Sequence, residues 1–378
     1  MRHLLKLSLC IFLFSQAICA QNSITYLFIG SFTNNVPDTG LYVYEFNSNT
    51  GALKFKSSIQ QITNPSYLAI SPNGRYVYAC TDSRLPNNGN ITAFVFDSIG
   101  GTLKLINKQS SGGDNPVFTA VHQSNKFVVV GNYNGGSVSV FTTNSDGSIN
   151  PSIQNIQFID SSINIKRQEK SHVHSTVFSP QNDYVFLPDL GSDKIRALKF
   201  DVNSRNPLQT CDSLVVKTTP GSGPRHFTFH PNQKFAYCIE EMSGMVTAYS
   251  YKAGKLDFFQ QVFSNSKIQE EYSSADIHIS PDGLFLYTSN RIDNTISIFS
   301  VDRTNGKLKL IGHQSTLGDH PRNFTIDPSG NFLLVANMLT NNIVVFRRNL
   351  STGLLTKTKT EIHVPNPSCL QMNTYGNP

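Results

Sequence analysis

Four polar side chains have the types that hydrolytic chemistry requires, and they are His174, Arg225, Glu241 and Arg291. A neutral histidine can take a proton from water, and a guanidinium group can stabilise the negative charge that develops when water attacks a carbonyl carbon. A carboxylate can hold the histidine or an arginine in place. If the fold brings these residues together, we expect a site that opens an ester or lactone, with His174 as the general base.

A repeated hairpin motif indicates how residues so distant in sequence could meet. A polar turn with Gly or Asn, followed by Leu or Ile, occurs seven times at intervals of 46 to 59 residues. These Leu and Ile residues are Leu53, Leu103, Ile149, Leu208, Leu256, Leu308 and Leu354. Repeats of about 50 residues are typical of large β-propeller blades. One repetitive domain therefore accounts for the length of the chain.

A second repeated element lies between the hairpins and consists of an apolar strand, a Pro-Asn-Gly-type turn and an aromatic strand. The segment NPSYLAISPNGRYVYACTD (64–82) shows it most completely, and it occurs six times. The missing seventh copy is explained if NPSCLQM (366–372) is an inner strand that pairs with TYLFIGSF (25–32). We therefore predict an all-β fold, a seven-bladed β-propeller of four-stranded antiparallel blades, closed by pairing of the N- and C-terminal strands.

The repeat places the candidate residues at one mouth of the central channel. Because neighbouring strands are antiparallel, the start of an inner strand and the end of the next strand lie at the same rim. Counting ten residues forward from the turns at Pro231 and Pro281 reaches Glu241 and Arg291. Counting six residues back from each turn reaches Ser66, Phe118, His174, Arg225, Ala275 and Arg322. We expect the four hydrolytic candidates to form one cluster.

Four further residues are candidates for substrate binding. Arg322 occupies the rim position one blade after Arg291. His172 and His226 are adjacent to rim residues, although side chains alternate along a strand and these two could point elsewhere. Asp189, in PDLGSDKI (188–195), is expected chiefly to accept hydrogen bonds at a strand end, with ligand contact as a second role. For any one of these histidines, a purely structural hydrogen bond is the alternative.

The composition argues against several other classes of protein. The net charge is only +6, and the basic residues are scattered among acidic ones, so no nucleic-acid partner is expected. The cysteines lack the spacing of metal ligands, so we predict no metal site, and nothing in the sequence calls for a cofactor. The 26 Phe and 14 Tyr residues favour strands over helices.

The N-terminal segment predicts export. Two basic residues precede an apolar run over residues 7–14, and small residues follow. This pattern is typical of a secretory signal peptide, here cleaved before Gln21. We therefore predict a signal peptide at 1–20 and a single propeller domain at 21–378, periplasmic or secreted, with no membrane attachment after cleavage.

Several sequence blocks carry a family resemblance. They are GNYNGGSVSVF (131–141), HVHSTVFSP (172–180), PDLGSDKI (188–195), GSGPRHFTFHP (221–231), AYCIEE (236–241), ADIHISPDGLFLYTSNR (275–291) and HPRNFTIDPSGNFLLVAN (320–337). Through them the whole mature chain resembles the seven-bladed propeller lactonase family. That family includes the propeller-type 6-phosphogluconolactonases and, more distantly, the carboxy-cis,cis-muconate cyclases.

The resemblance implies both a substrate class and a set of catalytic residues. The catalytic residues of the cyclase branch match His174, Arg225, Glu241 and Arg291. The implied substrate is a small, anionic lactone, either 6-phospho-glucono-1,5-lactone or a related extracytoplasmic aldonolactone. A muconate-type lactonising cyclase or isomerase and a propeller that only binds a partner remain alternatives. Glu240 stands where lactonase relatives often have Asn, which puts a second carboxylate beside Glu241.

Overall fold

The computed structural model describes residues 23–376, which form seven antiparallel β-sheets arranged as the blades of a propeller. The predicted signal peptide lies outside the described residues. In six blades the strands run in sequence order from the central channel outward, and the inner strands of most neighbouring blades contact one another. The first three blades contain the following strands: blade 1, β4 (Tyr67–Ile70), β5 (Tyr76–Thr81), β6 (Asn90–Asp97) and β7 (Thr102–Ser110); blade 2, β8 (Pro116–Val121), β9 (Phe127–Asn132), β10 (Ser137–Thr143) and β11 (Ile149–Gln157); blade 3, β12 (Val177–Phe178), β13 (Tyr184–Asp189), β14 (Lys194–Phe200), β15 (Leu208–Gln209) and β16 (Val215–Lys217).

The remaining blades each contain four strands. They are blade 4, β17 (Pro224–Phe229), β18 (Phe235–Glu240), β19 (Met245–Lys252) and β20 (Lys255–Phe263); blade 5, β21 (Ser274–Ile279), β22 (Phe285–Asn290), β23 (Thr295–Val301) and β24 (Leu308–Ser315); blade 6, β25 (Pro321–Ile326), β26 (Phe332–Asn337), β27 (Asn342–Arg348) and β28 (Leu355–His363); blade 7, β29 (Pro367–Gly376), β1 (Ser23–Ser31), β2 (Leu41–Phe46) and β3 (Leu53–Ile59). The seven-bladed fold predicted from the repeats is thus confirmed.

Blade 7 is assembled from both ends of the chain. Its inner strand is the C-terminal β29, which pairs antiparallel with the N-terminal β1 from Ser23 opposite Gly376 to Gly30 opposite Cys369. This pairing confirms the closure predicted from the count of repeats. Because it gives the first and last blades no exposed inner edge, the ring is continuous around the channel.

The repeated hairpin turns fix the spacing between blades. Gly147 has φ +84°, and a Cβ at this position would lie 2.2 Å from the Tyr76 ring of the preceding blade, so only glycine fits. The hydroxyl of Tyr78 donates a hydrogen bond to the Gly147 carbonyl oxygen at 3.1 Å. The same contact recurs between Tyr237 and Gly306 and between Tyr287 and Gly353. The motif that revealed the repeat therefore also connects each such pair of blades.

Blade 3 departs from the regular pattern at the channel. Its inner strand β12 has only two residues, and the chain before it is held by a single bridge between Val173 and Asp189. A 3-10 turn (Leu190–Ser192) follows β13, and a second one (Asp212–Leu214) separates β15 from β16. The irregular inner edge leaves His174 at the mouth of the channel, with its backbone N–H donating to the Pro188 carbonyl oxygen.

Candidate active site

β-Bulges at the start of several inner strands redirect side chains at the channel mouth. In each bulge, one inner-strand residue has no partner on the second strand, so its side chain leaves the regular alternation. The bulged residues are Val117, Arg225, Arg322 and Ser368. The predicted rim position of Phe118 is wrong by one residue, because blade 2 has Gln123 where the other turns have proline. Phe118 instead stacks on Tyr67, with ring centroids 3.8 Å apart.

A cavity of about 160 Å³ lies at this mouth. Four of the eight candidate residues line it, namely His174, Glu241, Arg291 and Arg322. The other lining residues are Phe32, Ser66, Arg84, Asn115, Val117, Tyr133 and Arg167. Arg225 is 1% exposed and supports the cavity wall through its contact with Glu241. The four residues singled out as hydrolytic candidates are therefore neighbours in space.

Glu241 is the centre of this cluster. Its Oε2 atom accepts a hydrogen bond from Arg225 Nε at 3.0 Å and forms an ion pair with Arg291 Nη2 at 2.8 Å. The same oxygen lies 3.8 Å from His174 Nε2, and Oε1 accepts a hydrogen bond from Arg167 Nη2 at 2.5 Å. One buried carboxylate thus contacts three guanidinium groups and one imidazole.

The surrounding charges keep Glu241 ionised. Burial alone would raise the pKa of this carboxyl, but the charges of Arg291 and Arg225 outweigh burial and hold the pKa well below its usual value. Because the folded-state pKa lies below the unfolded one, the stability that this group contributes is present above the unfolded pKa and is lost as the pH falls through the folded pKa.

The two buried arginines are held in fixed positions. Arg225 Nη1 donates to the Ala275 carbonyl oxygen at 2.5 Å, and Arg291 Nε donates to the Ser273 carbonyl oxygen at 3.0 Å. Burial, followed by the charge of Arg291, lowers the pKa of Arg225 to about 10, which still leaves it protonated at neutral pH. Both guanidinium groups therefore point at Glu241 as cations without needing to reorganise.

His174 is buried and uncharged at neutral pH. Burial and the charge of Arg225 lower its pKa well below the usual value, although Glu241 acts in the opposite direction. Nε2 lies on the side of Glu241, whereas the buried Nδ1 has no hydrogen-bond partner among residues 23–376. An uncharged imidazole beside an ionised carboxylate has the protonation state that a general base requires.

His172 and Asp189 support the wall of the cavity from outside. The His172 ring stacks on Tyr133 with centroids 4.4 Å apart, and its Nδ1–H donates to the Tyr133 carbonyl oxygen at 2.9 Å. Asp189 is fully buried and accepts hydrogen bonds from the His172 backbone N–H and from Arg196. Neither residue lines the cavity, so the role in substrate binding stays a prediction, and the contacts indicate that both position Tyr133.

His226 also lies beneath the cavity rather than on its wall. Its Nδ1 atom lies 2.7 Å from Asp276 Oδ1, and its ring makes edge contacts with Phe118 and His174. Asp276 in turn contacts His278 Nε2 at 3.0 Å. Direct substrate contact by His226 likewise stays a prediction, and the structure joins this residue to a buried carboxylate instead.

Two arginines of the cavity were missed by sequence reasoning. Arg84 follows β5 in blade 1, and Arg167 lies in the connection between blades 2 and 3, so neither has a repeated position. The interval between Ile149 and Leu208, 59 residues, is the longest of the hairpin intervals and contains Arg167. That extra length was the signal available for an inserted segment at the mouth. For Arg84 there was no comparable signal in the sequence.

The second carboxylate, Glu240, faces away from the cavity. Its oxygens accept hydrogen bonds from Thr247, Ser243 and Gln261 at 2.7 to 3.1 Å. Burial raises its pKa, and these three donors oppose the shift. Successive strand residues point to opposite faces, which explains why Glu240 and Glu241 do not share a site.

Comparison with known proteins gives consistent matches along the chain. The family described as "Lactonase, 7-bladed beta-propeller" matches residues 26–372. A 6-phosphogluconolactonase from Formosa agariphila is 49% identical over 353 residues, covering 92% of this chain and 99% of that protein. A 6-phosphogluconolactonase from Bacillus subtilis is 32% identical, covering 91% of this chain and 97% of that protein. The structure of a periplasmic gluconolactonase from Pseudomonas aeruginosa superposes with a TM-score of 0.86 at 32% identity, covering 92% and 99% of the two chains.

The charge of Glu241 is predicted to stabilise the fold as well as the site. In Glu241→Gln, Arg225 stays buried without a counter-ion, so we expect the free energy of unfolding to fall by about 3 to 5 kcal/mol. Denaturant titration of the purified protein at pH 7 measures this change. Arg167→Ala is the control, because the half-exposed Arg167 side chain should contribute about 1 kcal/mol or less. Equal losses in the two variants would contradict the prediction.

Proposed function

The chain belongs to the seven-bladed β-propeller lactonase family, and we propose that it hydrolyses a phosphorylated aldonolactone of the 6-phosphogluconolactone type in the cavity around Glu241. The relatives from Formosa agariphila and Bacillus subtilis are 6-phosphogluconolactonases, which supports a sugar lactone as the substrate. The observation that supports an anionic substrate is the surplus of guanidinium groups in the cavity. Four arginines line it together with a single carboxylate.

The reaction follows from the protonation states of the cluster. His174 removes a proton from a water molecule, whose oxygen attacks the lactone carbonyl carbon. Arg291, which lies on the cavity wall, donates hydrogen bonds to the developing oxyanion, and Glu241 stabilises the imidazolium that forms. When the intermediate collapses, the ring C–O bond breaks and His174 returns its proton to the leaving alkoxide. The new carboxylic acid then loses its proton to solvent.

The cavity has a second cationic region beside this cluster. The guanidinium of Arg84 stacks on the Phe32 ring at 3.6 Å, and that of Arg322 approaches the same ring at 5.3 Å. Among residues 23–376, neither side chain forms an ion pair. Burial and the neighbouring charge of Arg84 hold the pKa of Arg322 well below its usual value. The two guanidinium cations, Arg84 and Arg322, repel each other. A phosphoryl group bound between them would relieve this repulsion, since guanidinium groups match phosphate oxygens.

The two regions line one cavity but come from different blades. His174, Glu241 and Arg291 come from blades 3 to 5, whereas Phe32, Arg84 and Arg322 come from blades 6, 7 and 1. Together they supply cations to both ends of a substrate that binds in this cavity. The lactone carbonyl then lies beside His174, and the phosphoryl group lies beside the Arg84 and Arg322 pair.

Replacement of the proposed base is expected to abolish most turnover. We expect His174→Ala to lower kcat by about 10² to 10⁴-fold in a pH-stat lactonase assay, with the fold intact by circular dichroism. In the wild type, the acidic limb of kcat/KM should lie below pH 6.5, because the pKa of His174 is depressed. His363→Ala, an exposed histidine of the outer strand β28, is the control and should keep full activity. Full activity in His174→Ala, or faster turnover of a muconolactone than of aldonolactones, would refute the mechanism.

Recognition of the phosphoryl group is expected to depend on Arg84 and Arg322. Alanine at either position should raise KM for 6-phosphogluconolactone about 10- to 100-fold, as expected for loss of a hydrogen bond to a charged group. KM for unphosphorylated gluconolactone should change little, because that substrate lacks the group. Arg347→Ala is a matched control, since Arg347 stacks on Phe332 at 4.7 Å on the outside of the propeller. Equal effects on both lactones would show that the pair does not bind phosphate.

We also propose that the protein is exported and that the mature chain, residues 21–378, is one propeller domain. The structural relative from Pseudomonas aeruginosa is a periplasmic protein, which supports this location. No helix in the described part of the chain is long and apolar enough to span a membrane. N-terminal sequencing of the protein from its native host should begin at Gln21. A cytoplasmic pool that retains Met1 would contradict export.

A further inference from the structure

A buried His–Asp pair lies directly below the proposed general base. His226 Nδ1 is 2.7 Å from Asp276 Oδ1, and both residues are at most 5% exposed. The ring of His226 packs edge-on against that of His174, with centroids 5.4 Å apart. None of the steps of lactone hydrolysis described above uses this pair. Its residues come from blades 4 and 5, and His174 comes from blade 3.

The hydrogen-bond polarity of the pair can be assigned from its partners. Asp276 accepts hydrogen bonds from the Ile277 and Phe324 backbone N–H groups and from Asn323 Nδ2, so it is an acceptor throughout. The ring nitrogen of His226 that faces Asp276 must therefore carry the proton. In an uncharged imidazole the other nitrogen, Nε2, is then a hydrogen-bond acceptor.

His174 has a buried ring nitrogen that lacks a hydrogen-bond partner. Its Nδ1 is buried and has no hydrogen-bond partner within residues 23–376. If Nδ1 carries the ring proton, the acceptor that we assign to it is Nε2 of His226, whose ring centroid lies 5.4 Å from that of His174. The lone pair of His174 is then on Nε2, the atom beside Glu241 at the cavity. Hydrogen bonds of this kind are often long without substrate and shorten in the reacting complex.

We propose that His226 and Asp276 are positioning residues that hold His174 in the tautomer with its basic nitrogen, Nε2, directed at the substrate water. This inference rests on the proposed lactone hydrolysis and adds a relay to it. The order is Asp276, His226, His174 and water, and each member accepts a hydrogen bond from the next. When His174 takes the proton of the water, the Nδ1–H of its imidazolium donates to His226, and Asp276 stabilises the charge through His226.

The charged groups around His226 are consistent with this role. Arg225 and Arg322 face it from the neighbouring rim positions, and Asp276 faces it from blade 5. Burial and the charge of Arg225 lower the pKa of His226 to about 4, against the effect of Asp276, so it is an uncharged acceptor at neutral pH. Burial opposes ionisation of Asp276, but the histidines His278 and His226 hold its pKa far below the usual value.

The variants distinguish the hydrogen bonds that His226 makes from the space that its side chain fills. His226→Gln preserves the relay, because its amide N–H can donate to Asp276 and its carbonyl oxygen can accept from His174. His226→Phe removes both functions while filling the space. We expect Asp276→Asn and His226→Phe to lower kcat for the lactone by about 10- to 100-fold with little change in KM, and His226→Gln to retain most of the rate. The acidic limb of kcat/KM should move to lower pH in Asp276→Asn, because the imidazolium of His174 loses stabilisation.

His230→Gln is the matched control. His230 is buried like His226 but follows the other end of the same inner strand, where its Nε2–H donates to the Gly283 carbonyl oxygen at 3.0 Å, so its replacement should leave kcat and the pH profile unchanged. Unfolding midpoints of all variants measure structural damage separately. The inference is overturned if Asp276→Asn and His226→Phe keep the wild-type kcat and pH profile while His174→Ala is inactive. Loss of activity only in proportion to loss of folded protein would overturn it equally, whereas full activity in His174→Ala refutes the hydrolytic mechanism itself.

Discussion

The site depends on the burial of one carboxylate among several cations. Glu241 would lose a large solvation energy in the interior if Arg225 and Arg291 did not contact it at 2.8 to 3.0 Å. The same arginines would repel each other without Glu241, because burial and mutual charge already lower the pKa of Arg225. This balance keeps His174 uncharged and ready to accept a proton. The burial of Glu241, its pairing with the two arginines and the low proton affinity of His174 therefore depend on one another.

The propeller supplies positions, and the residue types at those positions supply the chemistry. The same bulge at the inner strand holds Val117, Arg225, Arg322 and Ser368 in different blades. Since the backbone is common to these positions, one change of residue type turns an apolar part of the wall into a cationic one. The ring thus brings a reacting cluster from blades 3 to 5 and a cationic pair from blades 6 and 1 into one cavity, with no change in architecture.

The sequence by itself determined the number of blades and brought the four hydrolytic candidates to the mouth, because both follow from a period of about 50 residues. Seven hairpins with six inner turns required closure by β29 and β1, and the structure shows that pairing. Counting along the repeat likewise brought His174, Arg225, Glu241 and Arg291 to one rim. A regular repeat converts a distance in sequence into an angle around the channel, so periodic positions can be placed before any contact is known.

Only the tertiary structure decided which residues outside the repeated positions reach the cavity. Arg84 and Arg167 reach the cavity from connecting segments, whose conformation depends on packing against other blades. The pairing of His226 with Asp276 crosses between blades, and side-chain direction at a bulge does not follow strand alternation. The sequence could therefore name residues of the mouth that lie at repeated positions, but not which of them face the cavity and which support it from below, because that choice is made by contacts between residues about 50 positions apart.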